Sequence, residues 1–178
     1  MIVAYQGAPG AFGHEAAGKA ADFALLLAVP SFAAVVDTVC AGKADVGVLP
    51  VENRHAGKVD RVAELIADSG LLVDRIIDLP VRLHLLGKPG TRLGQIETVV
   101  SHPMALRQCA RRLAELGVDL REVTNTAIAA QSLADGKTAA LASSLAAELY
   151  GLALIEMDLQ DDPENVTHFA VLVRPSLD

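Results

Sequence analysis

Short apolar runs in this chain repeatedly end in a polar residue that also opens a helical pattern. Gln6-Gly7-Ala8-Pro9-Gly10, Ser101-His102-Pro103, Thr124-Asn125-Thr126 and Ser143-Ser144 all do so. A helix N-terminus carries unpaired N–H groups and a partial positive charge, so such junctions suit an organic anion. In open α/β sheets, ligands gather beyond the carboxyl ends of the strands. Ordinary capping explains any single junction; their repetition in one small chain favours a binding site. Two further stretches carry polar chemistry. Gly47-Val48-Leu49-Pro50 runs straight into Val51-Glu52-Asn53-Arg54, followed by His55 and Gly57, where a solvated turn is the plain alternative. Asp161-Asp162-Pro163-Glu164-Asn165-Val166-Thr167-His168-Phe169 is a polar loop that feeds a strand. Asn165-Val166-Thr167 also fits a glycosylation sequon, which has no use in a chain without a secretion signal.

Composition removes several other chemistries. His14, His55, His84, His102 and His168 show no close pairing, and neither CxxC nor HExxH occurs, so no metal site is expected. Cys40 and Cys109 lie in separate apolar-periodic segments and read as reduced, buried thiols of a cytoplasmic protein. Asp and Glu total 22 against 15 for Lys and Arg, a net charge of -7 that repels phosphate backbones. Aromatic residues are only 3% with no Trp, so there is no stacking platform either, and nucleic acid is not an expected partner. No apolar run approaches the roughly 20 residues of a membrane span, and Met1-Ile2-Val3-Ala4-Tyr5 lacks the basic opening of a signal peptide. At 178 residues and 52% hydrophobic, the chain has material for a core in one compact unit or two small lobes.

The elements that must position these residues alternate between β-branched runs and helical periods, which favours α/β layering with mostly parallel strands. Ile2–Tyr5, Leu25–Val29 and Val46–Leu49 read as strands, the last stopped by Pro50. Phe12–Phe23, Phe32–Ala41 and Val59–Asp68 read as helices between and after them. Leu71–Leu86 is a long extended run that could carry the chain between two lobes. Strands at Thr98–Val100, Val118–Val123, Thr138–Leu141 and Ala153–Met157 then alternate with helices at Pro103–Leu116, Thr126–Ala134 and Ser144–Tyr150. Phe169–Val173 is a last strand that could return to the first lobe. The expected architecture is two α/β lobes with a cleft between them: residues 1–76 with 158–178, and residues 77–157.

Several of these stretches resemble one family. Gln6-Gly7-Ala8-Pro9-Gly10-Ala11-Phe12 resembles the opening of prephenate dehydratase catalytic domains. Pro50-Val51-Glu52-Asn53, Gly57 and Val59 resemble its Pro-Ile-Glu-Asn segment and following glycine. Ser101-His102-Pro103, Ala105-Leu106 and Gln108-Cys109 resemble its Ser-His-Pro-Gln-Ala-Leu-x-Gln-Cys helix, and Thr126-Ala127 with Ala129-Ala130 its Ser-Thr-Ala-x-Ala-Ala segment. Asn165, Thr167 and Phe169 resemble its Asn-Asn-x-Thr-Arg-Phe signature. The likeness runs in order over nearly the whole chain.

The resemblance implies a two-lobed fold like that of type II solute-binding proteins, and a reaction in which prephenate loses carbon dioxide and water to give phenylpyruvate. It implies Thr167 as the catalytic threonine that assists departure of the ring hydroxyl, with Asn53, Ser101 and Gln108 as polar active-site positions. Gln6, Gly7, Glu52, Arg54, Asn125, Thr126, His168 and Phe169 are the expected substrate-binding residues. Aromatisation drives the reaction, so no cofactor is expected, and the partner is a small molecule. Catalytic domains of this kind commonly pair, which implies a homodimer. The chain stops at Asp178, so an attached phenylalanine-binding regulatory domain is expected to be absent.

The chain departs from the family pattern at several motif positions. His168 stands for the arginine of Thr-Arg-Phe, and Arg54 for a small hydroxyl residue after Glu52-Asn53. Met104, Asn125 and Glu164 are the other replacements. A histidine lacks the permanent bidentate cation of arginine. If both positions face the cleft, Arg54 supplies the cation lost at 168. These departures keep two alternatives open: a non-aromatising prephenate decarboxylase or related cyclohexadiene-acid enzyme, and a ligand-binding or regulatory module without turnover. Arogenate in place of prephenate is open as well.

Overall fold

The computed structural model describes residues 1–175. In chain order the elements are β1 (Ile2–Gln6), α1 (Phe12–Ala20), β2 (Leu25–Val29), α2 (Phe32–Cys40), β3 (Val46–Asn53), the short β4 (Gly57–Lys58), α3 (Val62–Ser69) and β5 (Leu72–Pro80). They continue with β6 (His84–Gly87), β7 (Thr98–Ser101), α4 (Pro103–Gln108), α5 (Ala110–Leu116), β8 (Asp119–Glu122) and α6 (Thr126–Gln131). The series closes with β9 (Thr138–Ala142), α7 (Ser144–Tyr150), β10 (Ala153–Glu156) and β11 (Val166–Val173).

The first unit joins residues 1–7 and 12–80 with the segment from Val166 onward. Its six-stranded sheet has the order β2-β1-β3-β11-β5, with β4 on β3. The inner strands β1 and β3 are apolar at consecutive buried positions because both their faces are covered. Val3 and Tyr5 pack with Ala16, Ala17 and Ala20 of α1, while Ala4 between them packs with Val35, Val36 and Val39 of α2. Ser31 starts α2 by accepting the Ala34 N–H on its hydroxyl at 3.1 Å, a helix cap.

The second unit comprises residues 8–11 and 81–165 around a five-stranded sheet of order β10-β6-β9-β7-β8. Small residues dominate its centre: Ala129, Ala130, Ala140, Ala142, Ala146 and Ala147 pack with Leu86 and Val100. The unit boundaries fall at 80/81 and 165/166, where the sequence reading put them near 76/77 and 157/158. β5 continues to Pro80 beside β11, and residues 158–165 stay with the second unit because Leu159 N–H and Gln160 Oε1 both bond the Leu83 backbone. The last three residues of the first expected lobe lie outside the described residues.

Three expectations about elements are corrected. Parallel strands do not predominate: β1 pairs β2 and β3, and β7 pairs β8 and β9, in parallel, but β11 runs antiparallel to both neighbours and β6 antiparallel to β9 and β10. Apolar periodicity carries no information about strand direction. Pro50 does not stop β3. Pairing with β1 has already ended at Tyr5 opposite Val48, and the ladder to β11 shifts register beside Pro50, leaving Val51 unpaired. A bulge of this kind tolerates a residue without an N–H. The helix expected over Pro103–Leu116 is two helices, α4 and α5, meeting at Cys109. The Asp161 N–H takes the Gln108 carbonyl at 2.7 Å, removing it from the helical ladder.

Candidate active site

β3 and β11 bring together the two polar stretches that the sequence separates by more than a hundred residues. Asn53 pairs with Thr167 in the ladder, and its Nδ2 donates to Thr167 Oγ1 at 2.8 Å and to the Val166 carbonyl at 3.2 Å. Asn53 Oδ1 accepts the N–H groups of His55 and Ala56, each at 3.0 Å. Backbone donors on one side and acceptors on the other fix the amide's orientation, so nitrogen faces Thr167. The Thr167 oxygen therefore serves as an acceptor toward Asn53, and its proton is directed elsewhere.

The adjacent residues point to the other face of the same strands, because side chains alternate along β-structure. His168 pairs in register with Glu52 on β3 and with Asp78 on β5. Its Nδ1 lies 2.6 Å from Asp78 Oδ1. Glu52, Arg54, Asp78, Val166 and His168 line a cavity of about 480 Å³ that includes neither Asn53 nor Thr167. Arg54 and His168 thus share a surface, as compensating residues would, but not the surface of Thr167. Glu52, Arg54 and His168, expected to bind substrate, are grouped with Asp78 on a face apart from the Asn53–Thr167 pair. Asp78 escaped the sequence reading because an acidic residue inside an alternating run looks like a solvated face; only the register reveals its partner.

Phe169, expected among the substrate-binding residues, is 2% exposed and packs with Val3, Tyr5, Val48 and Val171. Gln6 closes β1, and the Gly7 N–H bonds the Val29 carbonyl at 3.2 Å. A side chain at Gly13 would meet the Gln6 carbonyl at 2.9 Å, so the first turn of α1 sits directly against the end of β1. His14 in that turn stacks on Tyr5, with ring centroids 5.1 Å apart, and its burial lowers its pKa.

In the second unit, the polar junctions gather at the carboxyl ends of β7, β8 and β9. Ser101 is fully buried and donates to the Leu141 carbonyl at 2.7 Å, tying β7 to β9. Gln108 ends α4 half-buried. Asn125 caps α6 through the Ala127 N–H at 2.7 Å, next to half-buried Thr126, the first residue of that helix. Ser143 caps α7 through the Ala146 N–H at 3.1 Å. Sequence reasoning missed Tyr150, whose hydroxyl donates to the Pro9 carbonyl at 2.6 Å. Among the described residues, no cluster of three or more His, Cys, Asp or Glu side chains is arranged to hold a metal ion. Nor is any helix there long and apolar enough to cross a membrane.

Two mixed sheets flanked by helices, with polar junctions at strand ends, define an α/β domain of the kind seen in solute-binding proteins. A nutrient-binding protein from Burkholderia cenocepacia bound to methionine shares the fold at a TM-score of 0.54 and 10% identity, over 98% of this chain and 84% of that one. The prephenate dehydratase family model matches residues 3–176, and the chain belongs to that family. Arogenate dehydratase/prephenate dehydratase 6, chloroplastic, from Arabidopsis thaliana is 42% identical over 98% of this chain. The match covers 43% of that relative, so the chain spans under half its length. Among solved structures, prephenate dehydratase from Arthrobacter aurescens in complex with L-Phe superposes with a TM-score of 0.91 at 27% identity, covering 99% of this chain and 61% of that one. A protein described as a novel type of quorum-quenching acylase, GqqA, gives a TM-score of 0.92 at 32% identity, covering 100% and 66%.

Proposed function

We propose that this chain is a lyase that converts prephenate to phenylpyruvate in phenylalanine biosynthesis. The carrying observation is the Asn53–Thr167 pair, whose polarity leaves the threonine as a donor. The ring C–O bond breaks and the hydroxyl leaves as water, taking up a proton. The bond to the ring carboxylate breaks to release carbon dioxide, and its electron pair completes the aromatic ring. Thr167 assists by hydrogen-bonding to the departing hydroxyl; positioned acid assistance is worth about 10²–10⁴-fold. Gln108, Asn125 and Thr126 are half-buried polar groups of the second unit that could contact substrate. Arogenate, named in the description of the Arabidopsis relative, is the second substrate to test.

The likeness to an acylase gives a second reading. At Thr167 the chemistry disfavours it, because a nucleophilic hydroxyl needs a base to take its proton and Asn53 presents a donor. Free thiols at Cys40 and Cys109 fit a reducing compartment, and a cytoplasmic homodimer completes the proposal. Sedimentation of the purified chain tests the dimer.

The deciding experiment incubates purified protein with prephenate and follows substrate, carbon dioxide and phenylpyruvate by chromatography. Phenylpyruvate formation that is lost in Thr167→Ala supports the reading. Carbon dioxide with a non-aromatic product replaces it with a decarboxylase, and binding without turnover replaces it with a ligand-binding module.

A further inference from the structure

Residues 8–11 stand between β1 and α1 of the first unit, yet they pack as part of the second. α7 and its cap hold this loop by two side-chain hydrogen bonds. The Ser143 hydroxyl, already accepting the Ala146 N–H, donates to the Gly10 carbonyl at 2.8 Å. The Tyr150 hydroxyl, one end of the helix away, donates to the Pro9 carbonyl. Gly10 is buried at φ +88, and a Cβ there would lie 3.0 Å from Ala146 Cα, so helix and loop meet backbone to backbone. Within the loop the Ala11 N–H closes a turn on the Ala8 carbonyl at 3.1 Å. Burial raises the Tyr150 pKa, which keeps the phenol a donor at neutral pH. Ser143 follows β9, so the loop lies on the sheet edge that also carries Ser101 and Asn125. That is where an α/β sheet receives its ligand.

We propose that Tyr150 and Ser143 are positioning residues that hold the Ala8–Ala11 loop, by its Pro9 and Gly10 carbonyls, in the conformation that binds the anionic substrate. The inference rests on the proposed reading of the chain as a prephenate-binding enzyme. Neither side chain touches the reacting atoms. Both act by removing the conformational freedom that the Ala-Pro-Gly-Ala turn would otherwise lose on binding.

Tyr150→Phe is the mild test, since it keeps the ring and deletes one hydrogen bond. It is expected to raise KM for prephenate about fivefold, the worth of one net hydrogen bond, with kcat changed much less. Amide exchange at Ala8, Gly10 and Ala11 should accelerate while exchange in β7 and β9 does not. Ser143→Ala should act in the same direction, with some loss of α7 stability from its cap. Faster loop exchange with KM unchanged overturns the proposal, as does a fall in kcat alone. Calorimetric titration of prephenate into wild type and Tyr150→Phe separates this from failure of the functional reading. If wild type binds prephenate without turnover, the Kd ratio of the two proteins still decides whether the clasp matters. If wild type neither binds nor converts prephenate, the proposal falls with the reading on which it rests.

Discussion

At the scale of the residue, Asn53 is held by two donor and two acceptor bonds at 2.8–3.2 Å. Asn53→Asp keeps the shape but turns the nitrogen into an oxygen facing the Val166 carbonyl and Thr167 Oγ1. The variant should lose about 1 kcal/mol of stability, the worth of a net hydrogen bond among half-buried groups, as measured by urea denaturation at neutral pH. Its kcat should fall with that of Thr167→Ala; full activity would remove Asn53 from the orientation of Thr167. On the opposite face, Arg54→Ala should leave KM for prephenate within about twofold, because its cavity excludes Thr167. A large rise in KM would restore the idea that Arg54 replaces the cation missing at 168. Asn53 and Thr167 were singled out by their match to family motifs, since polar residues at the mouth of an apolar strand read equally well as a solvated turn. The sequence hid their contact, and that of His168 with Asp78, because both depend on a ladder joining segments 90 or more residues apart.

The elements show why this ladder holds its register. β3 lies at the centre of its sheet, and α2 packs on it at Gly47, where a Cβ would stand 2.9 Å from Val35 Cγ1 and 3.0 Å from Val39 Cγ2. Gly47→Ala must therefore push the helix away or distort the strand, at a cost of about 1–3 kcal/mol for overpacking. The expected result is a lower urea midpoint with an unchanged slope. An unaltered midpoint would mean that α2 shifts without cost. Most strands and helices were legible, because alternating periodicities record which faces are buried. The continuation of β3 through Pro50 was not, since it depends on β1 ending its pairing at Val48 and on a bulge. Nor was the break at Cys109, which is caused by a backbone amide 52 residues further on. A residue's own propensity cannot report a hydrogen bond made by a distant segment.

At the scale of the whole molecule, the chain passes from one unit to the other by the run that leaves β5 and returns by β11. The transfer of residues 8–11 was illegible because it is made through backbone carbonyls. Each unit also contains a histidine whose burial disfavours its charged form. His14 in the first and His84 in the second both have pKa values lowered from the ordinary 6.5 by burial, more than the nearby Asp158 raises that of His84. His84 Nδ1 accepts the Asp158 N–H at 3.0 Å, so a proton there would replace an acceptor with a second donor. Unfolded, both rings titrate near the ordinary value and bind protons that the folded rings refuse. Their contribution is thus present above that value and is lost as pH falls through the folded pKa values. The urea midpoint should fall between about pH 7 and about pH 5 as the unfolded chain takes up protons. His84→Asn supplies an uncharged oxygen able to accept the same N–H, and should flatten the fall without abolishing it, since His14 still titrates. An identical pH dependence in that variant would assign the acid sensitivity to groups other than His84.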